Sequence, residues 1–122
     1  MENGTKLRLL YLYQHLVRHT DAEHTLSTAE LIRILNDEYS LKVSRNTISN
    51  DLAMLRDSGL HIEHYESTQN KYYYDGHAYD LAELRTLVDA ISSSKFITQS
   101  KSNKLIKKIE GLTSNHEAKS LH

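Results

Sequence analysis

The hydrophobic period of the chain changes at Gly59, and this limits the available folds more than any other feature. Before Gly59, apolar residues recur at helical spacing; immediately after it they alternate. Leu7, Leu10, Leu16 and Val17, with Leu9, Leu12 and Tyr13 between them, predict a helix over residues 5–18. Residues 19–25 are polar and read as a loop. Ser27-Thr28-Ala29-Glu30 has the form of a capping box, in which a hydroxyl caps an orphan amide and a carboxylate three residues on reaches back. A second helix is expected to follow, burying Leu31, Ile34 and Leu35 and ending near Tyr39. Residues 40–43 make a short turn. Ser44 then caps a third helix over residues 45–57, with Ile48, Leu52 and Leu55 inward. Gly59 stands where a helix end favours a left-handed residue.

Beyond Gly59, Leu60, Ile62 and His64 alternate with His61, Glu63 and Tyr65, which predicts a strand. Residues 66–71 are polar and turn-like, and Tyr72, Tyr73 and Tyr74 are strand-prone. The expected fold class is therefore mainly α with a small β-hairpin: a winged helix-turn-helix followed by two C-terminal helices. Asp80 and Glu83 begin the fourth helix, with Leu84, Leu87, Val88 and Ile91 on its apolar face. Thr98 or Ser100 begins the fifth, with Leu105, Ile109 and Leu112 on one side. Lys101, Lys104, Lys107 and Lys108 then form a solvated face. Gly111 lies near the end of this helix, and residues 113–122 are expected to fray. The expected domains are 1–77, the winged helix-turn-helix, and 78–122, a helical dimerisation or linker segment.

Composition excludes several function classes. The chain has no Cys, so disulfides and thiolate metal sites are impossible. No apolar run approaches the length of a membrane span, and the polar start lacks the apolar core of a secretory signal. A cytoplasmic location and no membrane partner are expected. A net charge of −1 argues against binding nucleic acid by bulk electrostatics, but a sequence reader needs only a local basic face. No Gly-rich phosphate loop, cysteine nucleophile or Gly-flanked serine is present, so no enzyme activity is expected. His15 and His19, four apart on the first helix, are spaced for a shared face, and His61 and His64 flank the first wing strand. Neither pair has a third ligand at a recognisable spacing, so no metal and no cofactor are expected.

The third helix carries the functional expectation. With Ile48, Leu52 and Leu55 inward, Arg45, Asn46, Ser49, Asn50 and Ala53 fall on the other faces. Arginine can pair bidentately with guanine and asparagine with adenine, while hydroxyls reach phosphates or base edges. The expected reader is thus this helix in the major groove of double-stranded DNA, through Arg45, Asn46, Ser49 and Asn50. Ser44 belongs to its N-terminal end, and Thr47, Arg56 and Lys71 would assist at phosphates. At the hairpin tip, Ser67, Thr68, Gln69, Asn70 and Lys71 suit a wing touching phosphate or the minor groove. The three tyrosines are expected to pack more than to stack on bases.

The run Ser44-Arg45-Asn46-Thr47-Ile48, with Asp51-Leu52, Leu55 and Ser58-Gly59-Leu60, resembles the recognition helix of DeoR-type winged helices. More widely, the chain resembles the N-terminal region of WYL-domain bacterial transcriptional regulators. That resemblance rests on the opening helix around residues 6–12, the aromatic hairpin end at 71–74, and the stretch 79–97. It covers nearly the whole chain. Ser49-Asn50 stands where DeoR-type helices often carry more basic residues. The resemblance implies a homodimer on operator DNA. It also implies that any small-molecule or nucleotide effector acts only through a C-terminal sensor domain that this chain, truncated or naturally short, does not include. Two other readings stay open: a winged-helix protein-interaction module without direct DNA binding, and a single-strand or RNA binder using the tyrosines.

Overall fold

The computed structural model describes residues 2–66 and 68–121. It divides into two compact units, Met1–Gly76 and His77–His122. The protein is mainly helical, with one small three-stranded antiparallel sheet of order β1-β3-β2.

In the first unit, α1 (Glu2–His19) is longer than its periodicity predicts, and its buried stripe is different. Leu12 and Leu16 are buried, while Leu7 and Leu10 face outward. The expected stripe through Leu7 and Leu10 is therefore corrected by rotation of the helix. An all-round apolar segment contains two candidate stripes, and packing against α2 and α3 selects one. The loop that follows is tied down by Thr20, whose hydroxyl donates to the Leu16 carbonyl at 2.6 Å and accepts from the Tyr74 amide at 2.8 Å.

A two-residue strand, β1 (Leu26–Ser27), went unpredicted because it is too short to show a period. It pairs with β3, setting Leu26 opposite Tyr72 and Ser27 opposite Lys71. Ser27 then also caps α2 (Thr28–Tyr39) in a complete capping box with Glu30. At the other end, Ser40 takes the left-handed conformation, φ 57°, and turns the chain toward α3 (Arg45–Asp57). Ile48, Leu52 and Leu55 of α3 are buried as their spacing predicts, and join Leu12, Leu16, Leu31, Leu35, Ile62 and Tyr72 in one core.

Gly59, at φ 78°, ends this segment as expected. His61 also has positive φ, which delays β2 to Ile62–Tyr65. β2 pairs with β3 (Lys71–Tyr74), placing His64 opposite Tyr72 and Tyr65 opposite Lys71. Alternation sends Ile62, His64, Tyr72 and Tyr74 to the core side and Glu63, Tyr65 and Tyr73 to the outer side. Tyr72 is buried, and Tyr74 meets Tyr13 edge-on at 5.9 Å. A Cβ at Gly76 would come within 2.3 Å of the Tyr74 hydroxyl, so a side chain there would displace the Tyr74 ring.

The second unit packs α4 (Leu81–Ser92) on α5 (Gln99–Glu110), followed by α6 (Asn115–Ala118) and a 3₁₀ turn, Lys119–Leu121. Two expectations are corrected. The inward side of α5 is Ser102, Ile106 and Ile109, with Leu105 and Leu112 exposed. The tail does not fray: Ser114 caps α6, and Leu121 is buried against Leu84 and Val88. Thr113 and Ser114 are buried as well, and periodicity cannot register a tail with a single buried apolar residue. Leu87, assigned to the apolar face of α4, is 40% exposed. Among the described residues, no helix is long and apolar enough to cross a membrane.

Candidate nucleic-acid interface

The N-terminus of α3 is organised by its own side chains. The Ser44 hydroxyl accepts from the Thr47 amide at 3.2 Å and donates to the Thr47 hydroxyl at 3.0 Å. Both residues are thus engaged in the cap. Successive residues turn by about 100°, which puts Arg45, Ser49, Asn46 and Asn50 within an arc of about 140°. Ile48, Asp51, Leu52 and Leu55 occupy the opposite side and are buried. Arg45, Asn46, Ser49 and Asn50 are exposed, and their side chains make no hydrogen bond or ion pair among the described residues. The first turn of α3 carries no carboxylate.

The buried acid of this helix is Asp51, which sequence reasoning passed over; its other acid, Asp57, is exposed in the last turn. The Asp51 carboxylate accepts from Arg8 of α1 in a two-point contact, Nε to Oδ2 at 2.5 Å and Nη2 to Oδ1 at 3.1 Å. Asp51 retains 4% side-chain exposure and Arg8 17%. The hydrogen bond to Asp51 holds the Arg8 guanidinium above its ordinary pKa, against the effect of burial. This pair fixes α3 against α1 and removes the one negative charge on the inner side of α3. A helical wheel carries the signal that finds it: Asp51 lies among Ile48, Leu52 and Leu55, where a charge needs a buried partner.

The remaining predicted contacts divide differently. Arg56, exposed in the last turn of α3, donates from Nη1 to Nδ1 of His64 at 2.7 Å. Since a guanidinium has no acceptor, the imidazole nitrogen can serve here only as the acceptor. The His64 ring stacks on Tyr72 at 5.5 Å, and its Nε2 lies 3.5 Å from Glu66. Lys71 stands 3.6 Å from Glu30, the acid of the α2 capping box. The backbone amide of Ser27, with help from Lys71, keeps the Glu30 carboxyl below its ordinary value. Tyr65 and Tyr73 stack on the outer face at 5.2 Å; burial and the Tyr65 hydroxyl push the Tyr73 phenol up to about 12. Thr68, Gln69 and Asn70 are exposed at the hairpin tip, and Ser67 lies outside the described residues.

The histidine pair on α1 has a packing role. His15 is buried, lies 3.2 Å from the Tyr39 hydroxyl, and has its ring centroid 4.3 Å from that of His19. Burial, then the His19 charge, lower its pKa. No group of three or more metal-ligating side chains converges among the described residues.

No family model, curated protein or solved structure matches this chain.

Proposed function

We propose that residues 1–77 form a winged helix-turn-helix that reads double-stranded DNA, as the DNA-binding part of a bacterial transcriptional regulator of the WYL-domain, DeoR-like kind. In this reading α2, the turn at 40–43 and α3 are the helix-turn-helix, and the β2–β3 hairpin is the wing. The observation that carries the proposal is the outer arc of α3. It offers arginine, two amides and a hydroxyl with no internal partner, while Asp51 of the same helix is held inside by Arg8 and the exposed Asp57 stands at the far, C-terminal end. Short side chains let a helix sit deep in the major groove, and contacts near its N-terminal half suit that docking. Arg45 and Asn50 read bases, with Asn46 and Ser49 beside them. Ser44 and Thr47 preserve the helix start, where a phosphate is also favoured.

The test is selection of bound sequences from a duplex pool, with an Arg45→Ala/Asn50→Ala control. A palindromic motif that disappears in the control is the expected result. Half-sites about one helical turn apart would accord with a homodimer. Failure to enrich any sequence at low salt would remove the duplex-reading function.

A second reading has its own observation. Leu7 and Leu10 are 47% and 63% exposed and, with Tyr11, Tyr13, Gln14 and Val17, line an apolar concavity of about 490 Å³ on α1. An exposed apolar face of this kind suits a protein contact. It serves either a protein-interaction module without DNA or the homodimer of the first reading. Leu10→Glu distinguishes them: it abolishes partner binding in the former and lowers the oligomeric state in the latter.

A further inference from the structure

Apart from Lys6 and Arg18, which are exposed on α1, the cations of the first unit fall into two sets. Arg8 is bound to Asp51, Arg56 to His64, and Lys71 faces Glu30. Arg33, Lys42 and Arg45 are exposed, and their side chains have no ion pair or hydrogen bond among the described residues. These three are not scattered. Arg33 and Lys42 line one open groove of about 410 Å³ between α2 and the turn, whose other walls are Ala29, Ile32, Asn36 and Val43. Lys42 and Val43 run directly into Ser44 and Arg45, so the groove is continuous along the chain with the start of α3.

No carboxylate lines the groove. Asp37 accepts from Asn36 Nδ2 at 3.4 Å and is not part of the lining. Glu30 is turned toward Ser27 and Lys71. A guanidinium offers a two-point fork for phosphate, an ammonium a mobile point charge, and the Asn36 amide a neutral donor. Ile32, Val43 and Ala29 supply apolar surface of the kind that a deoxyribose packs on.

Resting on the duplex-reading function above, we propose that this groove seats the sugar–phosphate backbone beside the base-reading arc. Arg33 and Lys42 each neutralise one phosphate there. The phosphate footprint then belongs to the α2–α3 turn more than to the hairpin, where Arg56 and Lys71 already have internal partners.

Each phosphate neutralised by a lysine or arginine releases a condensed counterion, so the salt dependence of affinity counts such contacts. The experiment titrates the full chain, as wild type, Arg33→Gln, Lys42→Gln, Arg33→Lys and Lys71→Gln, against a mixed-sequence duplex over a range of salt. Arg33→Gln and Lys42→Gln are each expected to reduce the slope of log affinity against log salt by about 0.9, and equally for every duplex sequence. Arg33→Lys should restore most of the slope, and Lys71→Gln should change it much less. An unchanged urea midpoint keeps loss of folding out of the comparison. If the wild type binds duplex but the two glutamine variants keep its slope, the groove assignment falls and the duplex reading stands. If Lys71→Gln loses the slope in their place, the contact returns to the hairpin and the assignment also falls. If the wild type does not bind duplex at low salt, both fall.

Discussion

The start of α3 and the β2–β3 hairpin present the same kinds of side chain, yet the protein uses them in opposite ways. Along the strands of the hairpin and the elements beside them, as distinct from the exposed tip, polar groups are matched to one another: Arg56 with His64, Lys71 with Glu30, Tyr65 with Tyr73. On the outer arc of α3, Arg45, Asn46, Ser49 and Asn50 are matched to nothing inside the protein. Exposure is therefore a poor guide to availability. A group already paired must give up its partner before it can bind a ligand. An unpaired group gives up only water, and that difference favours α3 and its preceding turn as the binding side.

The largest test of this contrast sets neighbours on one helix against each other. Asp51→Ala leaves Arg8 without its carboxylate and should cost about 3 kcal/mol of stability in urea denaturation. Asn50→Ala, one residue away on the free arc, should stay within about 0.5 kcal/mol of wild type in the same measurement. Equal losses would mean that Asn50 is structural and that the arc is not free. Arg45→Ala comes next. It should cost about 2 kcal/mol in binding and relax specificity at one operator position, read by selection and by titration of single-base variants. A uniform loss across sequences would reduce Arg45 to a phosphate contact.

Ser27→Ala removes the hydroxyl of the α2 capping box and should lower stability by about 1 kcal/mol. Lys71→Gln loses only a half-exposed ion pair and should cost about 0.5 kcal/mol or less. A larger loss there would make the hairpin pair a structural element. The smallest effect needs acid to reveal it. His15 has its pKa lowered on folding, chiefly by burial, so the unfolded chain binds its proton more readily. The stability that His15 contributes is complete above the ordinary imidazole value and is lost as pH falls through the lowered one. His15→Gln should flatten the acid side of the stability–pH curve, and an unaltered curve would show that this group does not govern it.

Much of this was legible in the chain. The α2 capping box, the inward trio of α3 and the left-handed Gly59 follow from local rules and stand where those rules put them. The outer position of Arg45, Asn46, Ser49 and Asn50 follows from the inner trio by helix geometry alone. Other features were not legible, for identifiable reasons. β1 has two residues and no period. The stripe of α1 had two equally apolar candidates, and the inward face of α5 keeps Ile109 but takes Ser102 and Ile106 in place of the leucines. The docking of the tail buries Leu121 together with the polar Thr113 and Ser114, which carry no apolar period.

Local chemistry, then, was determined by sequence: which segments are helical, where they are capped, and which residue types crowd the outer arc of α3. These depend on neighbours within a few positions, whose spacing the chain fixes covalently. Tertiary structure decided which polar groups are taken and which remain. The partners Arg8 and Asp51 are 43 residues apart, and Glu30 meets Lys71 only because the β1–β3 register sets Ser27 opposite Lys71. Pairing over such separations depends on how helices and strands pack, and no local pattern encodes it. It is this pairing that leaves Arg33, Lys42 and Arg45 as unengaged cations around the α2–α3 turn.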